Sequence, residues 1–202
     1  TGGALAPSVT ASPPPPPRRF GLELEHDRAV KALPTAAGIV EGVGETLPFP
    51  ANSFDFVFSN EVIEHVQDDA AYAAEMVRVA KPGGRILIFC PNRWYPVEQH
   101  GIYWQGEYKF GNIPLVNYLP NVWRDKLAPH VRTYTKGKLL RLFADFPVRI
   151  VHHGRIFGGY DNIEARRPKL GKALKTTLYT AEKTPFSVLG ISHLLVLEKN
   201  EA

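Results

Sequence analysis

Apolar positions along this chain come in short runs separated by polar and turn-forming residues. Residues 20–24 read as a short strand ending in an acid, 26–33 as a helix, and 38–43 as a second strand. Residues 47–53, with two prolines, read as a loop. Residues 54–59 form a near-continuous apolar run, which predicts a strand buried on both faces. A short helix is expected over 60–66. Asp68 and Asp69 can cap another that places Tyr72, Met76 and Val79 on one face. Lys81-Pro82-Gly83-Gly84 stops that helix and turns the chain into a strand over 85–90. Strands alternating with helices at this spacing predict βαβ units, hence an α/β, Rossmann-like, mostly parallel sheet flanked by helices. Right-handed crossovers then put the strand C-terminal ends on one rim, where ligands bind.

The rhythm breaks at 91–131. This stretch holds Trp94, Trp104 and Trp123 together with Tyr95, Tyr103, Tyr108, Phe110 and Tyr118, interrupted by prolines and glycines. It is too aromatic for a solvated linker and too irregular for a sheet element, and it is read as an insertion. Order returns with Thr135 as an N-cap before a helix through Leu139, Leu140 and Phe143. Strands follow near 148–151 and 194–198, with a basic amphipathic helix over 169–182 between them.

The first 19 residues are different. Pro13 to Pro17 remove five N–H donors and favour polyproline II, so neither helix nor central strand is expected there. The chain begins at Thr1 rather than Met, without a signal peptide's layout, so the true start is expected to lie upstream. Residues 20–202 are expected to form the domain proper. No apolar run approaches the ~18 residues of a membrane span. The lone Cys90 excludes an internal disulfide, predicts a reducing, cytoplasmic setting, and reads as a small buried residue rather than a nucleophile. A net charge of +4 permits an acidic partner without requiring one.

Glu23, at the end of an early strand, stands where nucleotide-binding α/β folds accept ribose hydroxyls, because a carboxylate can take two hydrogen bonds at once. Three further stretches follow in fixed order: Gly42-Val43-Gly44-Glu45-Thr46-Leu47-Pro48-Phe49-Pro50, Ser53-Phe54-Asp55, and Arg78-Val79-Ala80-Lys81-Pro82-Gly83-Gly84. Together they resemble the "type 11" group of class I S-adenosylmethionine (SAM)-dependent methyltransferases, whose pattern runs G-D-A-E-x-L-P-F-P, S-F-D, R-V-L-K-P-G-G. The resemblance implies SAM as cofactor. It places Glu23, with Leu24 beside it, at the ribose, Gly44 and Glu45 beside the adenine, and Asn60 at the methionine end. Val43 stands where the family often has Asp. Of the family's glycine motif D-x-G-x-G-T-G, only Thr1-Gly2-Gly3 resembles the tail, so the fold is expected to lack its first strand, with Gly2 and Gly3 as the remnant of a cofactor loop.

Glu61-Val62-Ile63-Glu64-His65 forms a second constellation. On a helix Glu61, Glu64 and His65 would share one face, a set that suits Mg²⁺ or Mn²⁺. The E-x-x-E-H pattern resembles the metal site of the ubiquinone-biosynthesis O-methyltransferases and of the small-RNA 2′-O-methyltransferases. The bland reading is a polar pocket wall, and a fourth ligand could be His100 or His130. His65 is the candidate catalytic base, or the ligand of a metal that activates a hydroxyl. The segment 91–131 is expected to act as an acceptor lid that excludes water and stacks on a flat or apolar substrate, with Arg93, His100, Lys109, Arg124 and Lys126 adding positive charge. His152 and His153 read as structural. The expected activity is methyl transfer from SAM to a small-molecule acceptor, at oxygen. The competing expectation is an inactive methyltransferase-like module that binds a partner or RNA.

Overall fold

The computed structural model describes residues 18–24, 26–32, 38–158 and 160–201. The expectations for residues 1–17, Gly2 and Gly3 among them, fall outside these. The chain divides into two compact units, Thr1–Gly42 and Val43–Ala202.

In the first unit, strand β1 (Phe20–Glu23) pairs in parallel with β2 (Gly38–Glu41), in register from Phe20↔Gly38 to Glu23↔Glu41. Helix α1 (His26–Ala32) connects them, with Asp27 in its first turn and Lys31 in its last, as the helix dipole favours.

The second unit is built on a four-stranded sheet ordered β3-β4-β10-β9. Its strands are β3 (Phe54–Asn60), β4 (Ala80–Pro91), β9 (Val148–Ile156) and β10 (Ser192–Lys199). The β3–β4 pair is parallel, and β10 lies antiparallel between β4 and β9, so three of the four strands point the same way. One face carries the core. Ile86, Ile88 and Cys90 of β4 alternate inward, as do His193, Leu195 and Leu197 of β10. They pack with Tyr72, Met76 and Val77 of α2 (Asp69–Val79) and Leu139 of α4 (Lys136–Arg141). Both caps are as expected: Asp68 accepts from Ala70 N and Ala71 N, and Thr135 from Lys138 N. Lys199 Nζ donates to Val77 O and Ala80 O, closing the C-terminal end of α2. Cys90 is buried, and burial pushes its thiol well above its usual pKa, which fits the inert reading.

Four expectations change, the fourth in the insertion described below. The apolar run of β3 is not buried on both faces: Phe56 and Phe58 are 54% and 56% exposed, and β3 is a sheet edge among the described residues. A continuous apolar run does not distinguish a central strand from an edge strand whose second face is open. The turn at Lys81-Pro82-Gly83-Gly84 does not separate helix from strand. It forms an irregularity inside β4, where the pairing skips from Phe54↔Ala80 to Phe56↔Arg85 around Gly83 at φ +73°. No helix forms over 60–66. The chain turns sharply because Glu61 adopts φ +52°, and residues 61–67 are bends and turns.

The segment 91–131 does hold sheet elements, in miniature. β5 (Val97–Glu98) pairs with β8 (Ile113–Pro114), and β6 (Ile102–Trp104) forms a hairpin with β7 (Glu107–Lys109). Helix α3 (Asn121–Leu127) follows. The basic helix α6 (Pro168–Ala181) packs beside α5 (Asp161–Arg166) and buries only Gly171.

His153 and His193 join β9 to β10 at the core. His193 Nε2 lies 2.8 Å from Tyr134 O and so must donate, which leaves Nδ1 to accept from His153 Nε2, 3.0 Å away. A second proton on His193 would set two donors against each other. Burial accordingly lowers its pKa from 6.5 to about 4. The unfolded chain binds the extra proton between these values, so this stabilisation is complete above about pH 6.5 and is lost as pH falls toward 4. We expect urea titrations to lose up to about 3 kcal/mol from this group across that range. An equally steep profile in His193→Gln would contradict the assignment.

Candidate active site

The turn at 61–67 sits at the C-terminal end of β3, and Glu61 N donates to Phe89 O of β4. It projects two carboxylates differently. Glu61 Oε1 accepts from Ser192 Oγ at 2.7 Å, tying it to the start of β10. Glu64 turns inward and is 1% exposed. Neither Glu64 oxygen has a hydrogen-bond donor among the described residues. Burial, and then the Glu61 charge, push the Glu64 pKa up to about 9. A buried group with two orphaned oxygens calls for a ligand or a role.

Two imidazoles converge on it. His65 Nδ1 lies 3.2 Å from the His130 carbonyl and must donate to it, so Nε2 keeps its lone pair, 3.8 Å from Glu64 Oε1. Burial lowers the His65 pKa, against the opposing pull of the hydrogen bond to the His130 carbonyl. His100 arrives from the insertion. Its Nδ1 is 3.0 Å from Glu98 Oε1, which leaves Nε2 as the unoccupied nitrogen. The two rings meet edge-to-face at 5.2 Å. Ligand atoms of Glu64, His65 and His100 all lie within 4.8 Å of one another. Of the E-x-x-E-H set, Glu64 and His65 therefore come together, His100 joins them, and Glu61 serves the β10 junction instead.

Glu98 and Arg124 are the residues that sequence reasoning missed or misread. Both are buried, and Arg124 Nη2 donates to Glu98 Oε2 at 3.0 Å while Nη1 donates to Val131 O. Burial alone would raise the Glu98 pKa, but the His100 hydrogen bonds and the Arg124 charge outweigh it and hold the carboxyl at about 2. Glu98 thus fixes the ring that faces Glu64. No local pattern marks it, because its partners lie 2 and 26 residues away across irregular chain. The hairpin β6–β7 covers the cluster: Tyr103 and Tyr108 pack on His130, whose Nε2 donates to His100 O, and Tyr108 Oη donates to the same carbonyl.

The residues expected at the cofactor sit as follows. Glu23 ends β1, its Oε1 accepting from Leu24 N at 3.0 Å. Asn60 ends β3 and is exposed. Gly44 is buried, and a Cβ there would lie 2.6 Å from the Tyr72 ring. Glu45 Oε1 accepts from Gln67 N at 2.6 Å, bracing the turn before α2. Arg78 holds the loop after Glu45 through Leu47 O and Phe49 O, while Glu75 accepts from Leu47 N. Part of the family-like pattern therefore shapes the loop itself. No helix among the described residues is long and apolar enough to cross a membrane.

Comparison with known proteins bears on the family and the fold. Residues 21–88 match the family model described as a methyltransferase domain. The chain is 29% identical over 148 residues to the ubiquinone/menaquinone biosynthesis C-methyltransferase of Cupriavidus metallidurans, covering 68% of this chain and 57% of that one. It is 38% identical over 86 residues to the chloroplastic tocopherol O-methyltransferase of Arabidopsis thaliana, covering 43% of this chain and 23% of that one. The chain thus spans less than two thirds of the length of these curated relatives. A SAM-dependent methyltransferase structure from Mesorhizobium loti shares the fold at TM-score 0.58 and 20% identity, covering 89% of this chain and 79% of that one. The motifs and the family model together identify residues 21–88 as a methyltransferase domain similar to the class I SAM-dependent methyltransferases of the type 11 group.

Proposed function

We propose that the protein transfers the SAM methyl group to a hydroxyl of a small acceptor, and that Glu64, His65 and His100 hold a divalent ion, Mg²⁺ or Mn²⁺, beside that hydroxyl. The observation that carries this reading is the buried Glu64 carboxyl, with no hydrogen-bond partner among the described residues and a ring nitrogen of both His65 and His100 within 4.8 Å of it. The donor set fits a divalent ion: one carboxylate and two imidazoles whose Nδ1 atoms are already engaged by a carbonyl and a carboxylate. A bound cation would also offset the burial and like-charge repulsion that now disfavour ionised Glu64. When present, such an ion lowers the pKa of a hydroxyl in contact with it.

The chain's own residues supply alignment and a dry site. The SAM sulfonium is already activated, so placement of the acceptor in line with it is the main requirement. Within the first unit Glu23, at the end of β1, suits the ribose hydroxyls. The aromatic hairpin over His100 and His130 supports the lid reading and a flat or apolar acceptor. The relatives do not choose the atom, since one is named a C- and the other an O-methyltransferase. The hydroxyl assignment rests on the cluster. An inactive partner- or RNA-binding module leaves the orphaned Glu64 without a purpose.

Labelled SAM and a panel of phenols and catechols test the reading. Methylation should stop in excess EDTA and return with Mg²⁺ or Mn²⁺. Full turnover under EDTA would remove the metal, and methylation confined to carbon would remove the hydroxyl.

A further inference from the structure

The wall formed by Glu64 and His65 opens on a cavity of about 830 Å³, whose other sides carry Arg93, Arg124, Arg132 and Lys138. Its charge is unbalanced. Arg124 is matched by buried Glu98, with Asp125 3.5 Å away. The other three have no carboxylate within ion-pair distance among the described residues. Arg93 donates to Leu119 O at 2.6 Å and to Thr133 Oγ1 at 3.4 Å. Arg132 donates to Val66 O and, at 2.6 Å, to Gln67 O. Lys138 lies over the Tyr134 ring, 4.9 Å from its centre. Carbonyl oxygens and a ring face position these cations without neutralising them. Clefts lined by one sign of charge between low-dielectric walls concentrate potential. Arg124 adds a second sign: it is 1% exposed, and its Nε–H has no partner among the described residues.

We infer that this cavity receives an anionic oxyacid group, a carboxylate or a phosphate, carried by the methyl acceptor. An oxyanion accepts from guanidinium groups in pairs, which no neutral acceptor does as strongly. Held there, the acceptor presents the rest of its body to Glu64 and His65. The inference deepens the methyl-transfer reading and rests on it for the ligand's identity as acceptor. The anion preference itself does not depend on that reading.

Calorimetric titration of the protein at low salt with benzoate, phenyl phosphate and benzamide tests it. At least one anion should bind about 10-fold or more tighter than benzamide, the scale of one charge-assisted hydrogen bond. The stronger of the two names the group. Lys138→Gln and Arg132→Gln should each weaken the anion about 3- to 10-fold and leave benzamide unchanged. Lys138 is exposed on α4, so its variant keeps the test alive if Arg132→Gln unfolds. Equal affinity for the three probes, or anion binding indifferent to Lys138→Gln, overturns the inference. A parallel SAM titration separates the two claims. SAM binding without anion preference sinks this one alone, and anion preference without SAM binding sinks methyl transfer alone.

Discussion

Glu98→Ala should destabilise the protein by about 3–5 kcal/mol, the cost of stranding a buried charge by removing its partner. The stranded charge is Arg124, whose guanidinium is 2% exposed and is held by Glu98 at 3.0 Å. The same change removes the acceptor of His100 Nδ1, so the imidazole beside Glu64 loses the bond that orients it. Divalent-ion affinity should therefore fall about 10- to 100-fold, as it does when the outer partner of a liganding histidine is lost. Urea unfolding and Mn²⁺ titration read the two effects separately. Glu98→Gln sharpens the comparison, since it keeps the shape but not the charge. Unchanged stability in Glu98→Ala would mean that the Glu98–Arg124 pair contributes nothing to how the insertion is held.

Glu64→Gln should do the reverse, abolishing function without weakening the fold. Glutamine fits the same space and, like the native carboxyl whose pKa burial and the Glu61 charge push up to about 9, carries no charge at pH 7 when no ion is bound. Thermal stability of the metal-free protein should hold or rise. Mn²⁺ affinity and hydroxyl methylation should fall by at least the ~100-fold seen at the upper end for outer-shell losses, because a direct ligand is gone. SAM affinity should stay near its original value, since the cluster faces the acceptor. Such an opposition between stability and activity marks a residue retained for function. A stable variant with full metal-dependent turnover would place the ion elsewhere.

Much of the domain could be read from the sequence because its information is local. The inward alternation of Ile86, Ile88 and Cys90, the Asp68 and Thr135 caps, and the face of Tyr72, Met76 and Val79 each need only a few neighbouring residues. The site was harder for two physical reasons. Glu61 adopts a left-handed conformation with no glycine to announce it, and that one residue turns an expected helix into a tight bend. Glu64 and His65 still end together, but Glu61 is drawn to Ser192, 131 residues away. His100, weighed beside His130 as a fourth ligand, joins the cluster because buried Glu98 and Arg124 fix the insertion there. His130 contributes its carbonyl to His65 instead. The open face of β3 was illegible for a different reason: Phe56 and Phe58 look the same in a sequence whether or not anything covers them.

We propose that this chain binds SAM, with Glu23 at the end of β1 accepting from the ribose hydroxyls, and transfers its methyl group. Calorimetric titration with SAM of the native protein, Glu23→Ala and Glu64→Gln tests it most directly. Saturable binding is expected in the native protein and in Glu64→Gln, with Glu23→Ala weaker by about 1–3 kcal/mol, the cost of leaving the ribose hydroxyls unpaired. No saturable binding in the native protein, or a Glu23→Ala affinity equal to it, would contradict the account.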